Sequence, residues 1–329
     1  MSKVDRRMFL KLAGAAGAAG LVGVPGALPS ALAADKSQLA KAKAEGKAVF
    51  YANMTAVEPI MKAFDAATGV DGQYTRVPTP KYIPTVLTEF GAGNLLADVL
   101  QAPRPILELL KQKGVLAPYK SPAAAGYPEW ARKDDGMTMF GIEYMSYLYN
   151  TQQVKKADAP KTYEDLADPK WKNKIVMPNP ANFSTIISWL VGLKELVFKS
   201  EDKWVTYMKG LAANQPMLVA ALGPTPAPIA SGEKLIGISM PKYIVTKAPA
   251  PLDWGPRGGQ PLLGTPRAIG ISAKAPHPAA ARVFLDYWLS KEAMALLAKD
   301  VGEYVLTPGV FPPIEGMDKA KVMPVRDLS

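Results

Sequence analysis

The chain has 329 residues, 48% of them hydrophobic and 21% charged, with 39 basic against 29 acidic side chains and a formal charge of +10. That length accommodates two domains with separate cores, and the composition is that of a globular protein, which excludes wholesale disorder. The absence of cysteine excludes disulfides, thiolate metal sites and a cysteine nucleophile.

Residues 1–33 are predicted to be a leader rather than part of the fold. Asp5-Arg6-Arg7-Met8-Phe9-Leu10-Lys11 looks like a twin-arginine export signal, with Asp5 where Ser or Thr is usual. A small-residue apolar run follows over 12–24, then Pro29 and an A-x-A cleavage site at Ala31-Leu32-Ala33. Gly14, Gly17 and Gly20 lie inside this run and so are not read as a phosphate loop or a helix-packing motif. The leader holds four basic residues and one acidic, so the mature chain keeps a charge of +7. Its lysines are spread out rather than clustered with aromatics, which argues against nucleic acid as a partner. A modest basic balance can steer small anions towards a cleft. No later apolar run reaches the roughly 18 residues that cross a bilayer. The mature protein is expected to be soluble and periplasmic.

A helical lead-in covers 36–45. The first strand, 48–51, ends in a polar tip, Asn53-Met54-Thr55. The next helix, expected over 56–67, puts Val57, Ile60, Met61 and Phe64 on one face, and Thr55 with Glu58 fits a capping box. Such a tip offers free backbone N–H groups and a positive dipole end to an anion. Strand 70–77, helix 83–91, strand 97–100 and helix 105–113 follow. This βαβαβ order predicts a parallel sheet covered by helices on both faces.

Residues 141–149 alternate and are rich in tyrosine, predicting a long strand. A short strand at 175–177 leads to a second polar tip, 178–182, and helices are expected over 184–198 and 201–213. Strand 235–240 follows, with Tyr243 just beyond it. The segment 247–267 is thick with Pro and Gly and is read as loop and crossover rather than sheet. A strand at 268–272 and helices over 278–289 and 291–299 complete the chain, without an internal repeat.

Little in the sequence supports catalysis. The single histidine, His277, stands between two prolines at a helix start, where a structural role is expected. No Walker-type loop, H-E-x-x-H or G-x-S-x-G occurs. Asp134-Asp135 and Glu201-Asp202 read as solvated charge. The reading is therefore no enzyme and no cofactor.

Several stretches together carry a family resemblance. They are Ala44-Glu45-Gly46-Lys47, Ala97-Asp98-Val99, Gly114-Val115-Leu116-Ala117-Pro118-Tyr119, Tyr149-Asn150-Thr151, Leu166-Ala167-Asp168-Pro169-Lys170-Trp171-Lys172, Ala230-Ser231-Gly232-Glu233 and Ala275-Pro276-His277-Pro278-Ala279-Ala280-Ala281. In order and spacing they resemble the periplasmic solute-binding proteins of ABC importers, in the branch that includes the ferric-iron binders. The resemblance implies an α/β fold of the type II periplasmic-binding-protein class: two α/β lobes joined by crossing strands, with a central ligand cleft that closes about a hinge. It maps lobe 1 to 34–143 and 267–329 and lobe 2 to 144–266. It implies a monomer that captures a small-molecule ligand and delivers it to an ABC permease in the inner membrane. A sensor partner would keep the same fold and cleft.

Residue by residue, the iron-binding pattern is broken. Its histidine falls on Asn53, its glutamate near Pro103 beside Arg104, its tyrosine pair on Lys242-Tyr243, and its crossing-strand arginine on Met145. Ferric iron needs several hard anionic oxygens, so the expected ligand is a small organic anion: a carboxylate, a phosphonate or a zwitterion. Ferric iron is the alternative; no metal site is assigned. The residues expected to bind ligand are Asn53, Met54 and Thr55 at the first tip, Arg104 as a bidentate anion partner, Asn182, Phe183, Ser184 and Thr185 at the second tip, and Tyr144 and Tyr243 for stacking or an O–H. Lys242 is a candidate second charge for the anion, with a solvated surface cation as the competing and preferred reading. Glu143 is read as a solvent-facing carboxylate that would imply an ammonium on the ligand if it faced the cleft.

Overall fold

Helices with one buried stripe alternate with short apolar strands, and the computed structural model turns that alternation into a mixed α/β sheet. It describes Pro29 and residues 35–181, 184–257 and 259–325. The leader expected over 1–33 lies, Pro29 apart, outside the described residues.

The first strand, β1 (Lys47–Ala52), is buried on both faces, with Phe50 and Ala52 in one core and Val49 and Tyr51 in another. A strand covered by helices on both sides requires that pattern. The next two strands, β2 (Asp71–Arg76) and β3 (Val99–Pro103), pair with β1 in parallel on either side, with Val49 opposite Gln73 and Tyr51 opposite Leu100. The connecting helices are Glu58–Thr68 and Thr79–Gly91. The expected parallel unit is present. Later strands are β4 (Leu116–Ala117), β5 (Thr138–Asn150), β6 (Ile175–Pro178), β7 (Met217–Val219), β8 (Ile236–Ser239), β9 (Leu252–Gly255), β10 (Leu262–Ser272), β11 (Tyr304–Val305) and β12 (Val322–Pro324). Spatially the order is β2-β1-β3-β10-β5-β8-β6-β7, with β4 and β12 on β10 and β9 and β11 on β5.

Two long strands join the parts of this sheet. The first half of β5, up to Met145, pairs antiparallel with β10, and its second half, from Ser146, pairs with β8 and β9. Beyond β5, β10 pairs antiparallel with β3. Helix Pro278–Trp288 packs on the first part, where Phe50 meets Phe284 at 4.9 Å and Trp288 at 4.8 Å between ring centroids. In the second part Tyr163 meets Trp189 edge-on at 5.5 Å. Ile314 and Met317 return to pack with Leu148 and Trp254, and Val325 packs with Trp189 and Leu263.

Two local expectations are corrected. Helix Glu58–Thr68 starts two residues late, with Val57 at its N-cap and no side-chain cap. Ala56 has a φ of 62°, and this left-handed turn leaves Thr55 exposed, so the Thr55–Glu58 capping box does not form. The segment 247–267 is not loop alone, because it contains β9 and the first half of β10. Its glycines serve close strand pairing: a Cβ on Gly264 would lie 2.2 Å from the Glu143 carbonyl oxygen, and one on Gly255 would strike the Tyr147 ring.

Candidate functional site

The antiparallel register of β5 and β10 sets Thr265 opposite Glu143 and Arg267 opposite Gly141, with an irregularity between Arg267 and Ala268. Arg267 and Glu143 thereby come together, Nη1 lying 3.6 Å from Oε2. A third element closes over them. Helix Lys291–Val301 ends at Gly302, whose φ of 73° turns the chain so that Glu303 and Tyr304 fall against the long strands. Glu303 accepts from Arg267 Nε and Nη2, each at 3.2 Å, and from Lys242 Nζ at 2.9 Å. Lys242 caps the short helix Tyr243–Thr246, and its backbone presses on Gly302, where a Cβ would lie 2.9 Å from the Lys242 Cα.

Four charges from four separate stretches thus share one centre. Their side-chain exposures are 1% for Glu303, 3% for Arg267, 10% for Lys242 and 16% for Glu143, and the formal charges cancel. Burial alone would raise the Glu303 carboxyl, but Arg267 and then Lys242 outweigh it and hold it below its ordinary range. Burial opposes the charge on Arg267 too, and Glu143 and Glu303 overcome it. Tyr243 stands at the edge, half-buried, with the Lys242 ammonium 5.9 Å from its ring centroid. Burial, then Glu143 and Glu303, push its phenol well above the usual range, so it stays protonated.

The expected site residues are disposed as follows. Tyr144 is fully buried beneath this centre, its hydroxyl donating to the Gly302 carbonyl at 2.9 Å and its ring edge-on to Tyr304. At the first tip the Asn53 amide donates to Thr79 Oγ1 at 3.0 Å, while its Oδ1 is buried with no partner among the described residues. Met54 is buried and its carbonyl accepts from Tyr74 at 2.5 Å; Thr55 is exposed. Arg104 Nε is 2.6 Å from Glu108 one turn along its own helix. Asn182 and Phe183 lie outside the described residues. Ser184 opens helix Ser184–Gly192, and Thr185 on it is half-buried. The structure gathers Tyr243 and Tyr144 round the charge centre. The first-tip residues belong instead to the end of β1.

Two readings are corrected here. Lys242 is a buried, paired cation, because the turn at Gly302 brings Glu303 onto it. Glu143 is largely covered beside Arg267 rather than free in solvent, with 16% of its side chain exposed. The sequence reading missed Arg267, Glu303 and Gln101. Arg267 and Glu303 are each a lone charge inside an apolar run, TPRAIGIS and VGEYVL, and that was the available signal. Gln101, fully buried on β3, has both side-chain amide atoms unpartnered among the described residues, and its carbonyl accepts from the Asn53 N–H at 3.3 Å. His277 is structural: its N–H and Nδ1 reach the buried Asp98 at 2.7 and 3.0 Å, and Asp98 also accepts from the Val49 N–H. Among the described residues no three His, Cys, Asp or Glu side chains group as a metal site, and no helix is long and apolar enough to cross a membrane.

Residues 59–324 match the profile of the bacterial extracellular solute-binding proteins. A periplasmic protein of Salmonella paratyphi A, provisionally named for 2-aminoethylphosphonate binding, is 25% identical over 72% of this chain and 70% of its own. Iron uptake protein A1 of Synechocystis is 26% identical over 75% of this chain and 71% of its own. Among solved structures, the periplasmic binding protein AfuA of Actinobacillus pleuropneumoniae, with fructose-6-phosphate bound, superposes with a TM-score of 0.68 at 23% identity, over 84% of this chain and 91% of that one. Iron-bound HitA of Pseudomonas aeruginosa gives 0.69 at 19% identity, over 84% and 92%. These likenesses share the type II periplasmic-binding fold.

Proposed function

The chain belongs to the bacterial extracellular solute-binding protein family, and from that premise we propose that it captures a small organic anion in the periplasm and delivers it to an ABC permease. Lobe 1 is taken as 34–143 with 267–329 and lobe 2 as 144–266, closing on the solute as a monomer. Closure transmits occupancy because the solute binds the closed state more tightly than the open one.

The observation that carries this reading is the buried centre of two cations and two carboxylates with Tyr243 at its edge. It lies where the two long strands meet and draws on both sides of their crossing. Such a centre suits holding a charged solute out of water. The start of helix Ser184–Gly192 adds free backbone N–H groups as neutral donors. The cationic role foreseen for Arg104 passes to Lys242, since Arg104 is already held by Glu108.

Ferric iron fits the same residues poorly. A trivalent cation at Tyr243 would face the Lys242 ammonium, and it needs a phenolate where burial and two carboxylates keep the phenol protonated. The test is a thermal-shift screen of the metal-stripped mature protein with 2-aminoethylphosphonate, fructose-6-phosphate, inorganic phosphate, citrate and ferric iron. A solute at 100 times its Kd adds about 2.7 kcal/mol and raises the melting temperature visibly. A response to ferric iron alone overturns the reading, as does turnover of any of these compounds.

A further inference from the structure

We propose that the solute is a zwitterion, its ammonium received by Glu143 and its anionic group by Lys242. This rests on the solute-binding reading above and narrows it to one class.

The argument starts from which members of the charge centre have binding capacity left. Arg267 gives Nε and Nη2 to Glu303, and Glu303 also accepts from Lys242. Glu303 is satisfied and all but inaccessible. Glu143 is different. Among the described residues its one ionic neighbour is the Arg267 guanidinium at 3.6 Å, beyond hydrogen-bond length, and its carboxylate accepts no hydrogen bond. Lys242 has three N–H donors and gives one of them to Glu303. The two members with free capacity are therefore one acceptor and one donor of opposite charge. They are also the two that solvent reaches, at 16% and 10% exposure against 1% and 3% for the inner pair.

Electroneutrality decides between solute classes. The four charges cancel, so a plain anion placed on Lys242 would bring uncompensated negative charge beside two carboxylates already held away from water. A zwitterion adds no net charge, because its ammonium meets Glu143 while its anionic end meets Lys242. Tyr243 reinforces the choice. After burial, Glu143 is the strongest influence raising its phenol, ahead of Glu303, so the Glu143 charge is felt at the edge of the centre where a solute would enter. Glu143 is thus the specificity-determining residue, and its role concerns what is rejected as much as what is held.

The experiment compares matched probes that differ only in the ammonium: 2-aminoethylphosphonate against ethylphosphonate, and β-alanine against propionate, by calorimetric titration. The wild-type protein is expected to favour the ammonium-bearing member by about tenfold to a hundredfold, the range of one charge-assisted hydrogen bond. Glu143→Gln is expected to remove that preference while leaving ethylphosphonate as tight as before or tighter. The wild-type comparison stands by itself if the variant does not fold. Ethylphosphonate or propionate binding as tightly as its partner overturns the zwitterion assignment and leaves the solute-binding reading intact. A zwitterion preference that survives in Glu143→Gln overturns the role of Glu143. Binding of none of the four, with a response to ferric iron alone, overturns both readings.

Discussion

Replacing Glu303 by glutamine tests whether the charge centre fixes the crossing of the long strands. The wild-type carboxylate is 1% exposed and holds Arg267 through two contacts at 3.2 Å and Lys242 through one at 2.9 Å. Glutamine keeps the volume and removes the charge, leaving two buried cations with only Glu143, 3.6 Å from Arg267, to offset them. Breaking a buried pair in this way costs about 3–5 kcal/mol. For a chain of 329 residues unfolding as one unit, an entropy near 2.1 cal/mol/K per residue turns that into a fall of about 4–7 °C in melting temperature. The effect has a pH signature with a definite sign. The folded Glu303 carboxyl lies below its ordinary value of 4.5, so its stabilisation is complete above that value and is lost as pH falls through the lower folded one. The gap between wild type and Glu303→Gln should hold from neutral pH down to about 4.5 and shrink below it. Scanning calorimetry across that range is the assay. A variant melting within 1 °C of wild type at neutral pH would refute the reasoning.

Three further outcomes follow from the same coordinates. Gly264→Ala forces a Cβ to 2.2 Å from the Glu143 carbonyl oxygen and 2.6 Å from the Tyr144 Cα, both backbone, so the soluble yield should collapse or the melting temperature fall by several degrees. Arg104→Ala removes a partly exposed i,i+4 pair worth about 0.3–0.5 kcal/mol, and solute affinity should stay within about threefold of wild type; a larger loss in titration would return Arg104 to the binding site. Replacing Arg6 and Arg7 together by lysine should leave the precursor in the cytoplasm on cell fractionation, since the twin-arginine reading depends on both.

The first part of the fold was legible because its signals are local. Val57, Ile60, Met61 and Phe64 recur at helical spacing, β1 is a short apolar run, and their order implies parallel pairing. The capping box at Thr55 and Glu58 was also a local pattern, but the left-handed turn at Ala56 defeated it. In 247–267 the pattern misled for a different reason. Gly255 and Gly264 usually break sheets, yet here they are small because another backbone or ring occupies the space a side chain would need. For the charge centre the local signal was slight, a lone charge in an apolar run at Arg267 and at Glu303. Glu143, Lys242, Arg267 and Glu303 are far apart in the chain, and only the β5–β10 register and the turn at Gly302 bring them together. Lys242 alone has every appearance of a surface lysine until Glu303 is placed against it.

The pairing of β3 with β10 bears on how the chain is made. Leu100, Gln101 and Ala102 face Gly270, Ile269 and Ala268 across that pair, so the sheet begun by the first three strands stays open until the last quarter of the polypeptide exists. An N-terminal fragment would expose β3 as an unsatisfied edge, with the hazards of aggregation that brings. Long-range closure of this kind slows folding. During synthesis the nascent chain has a sustained need for protection from self-association, and neither half is expected to survive as an independent product of limited proteolysis.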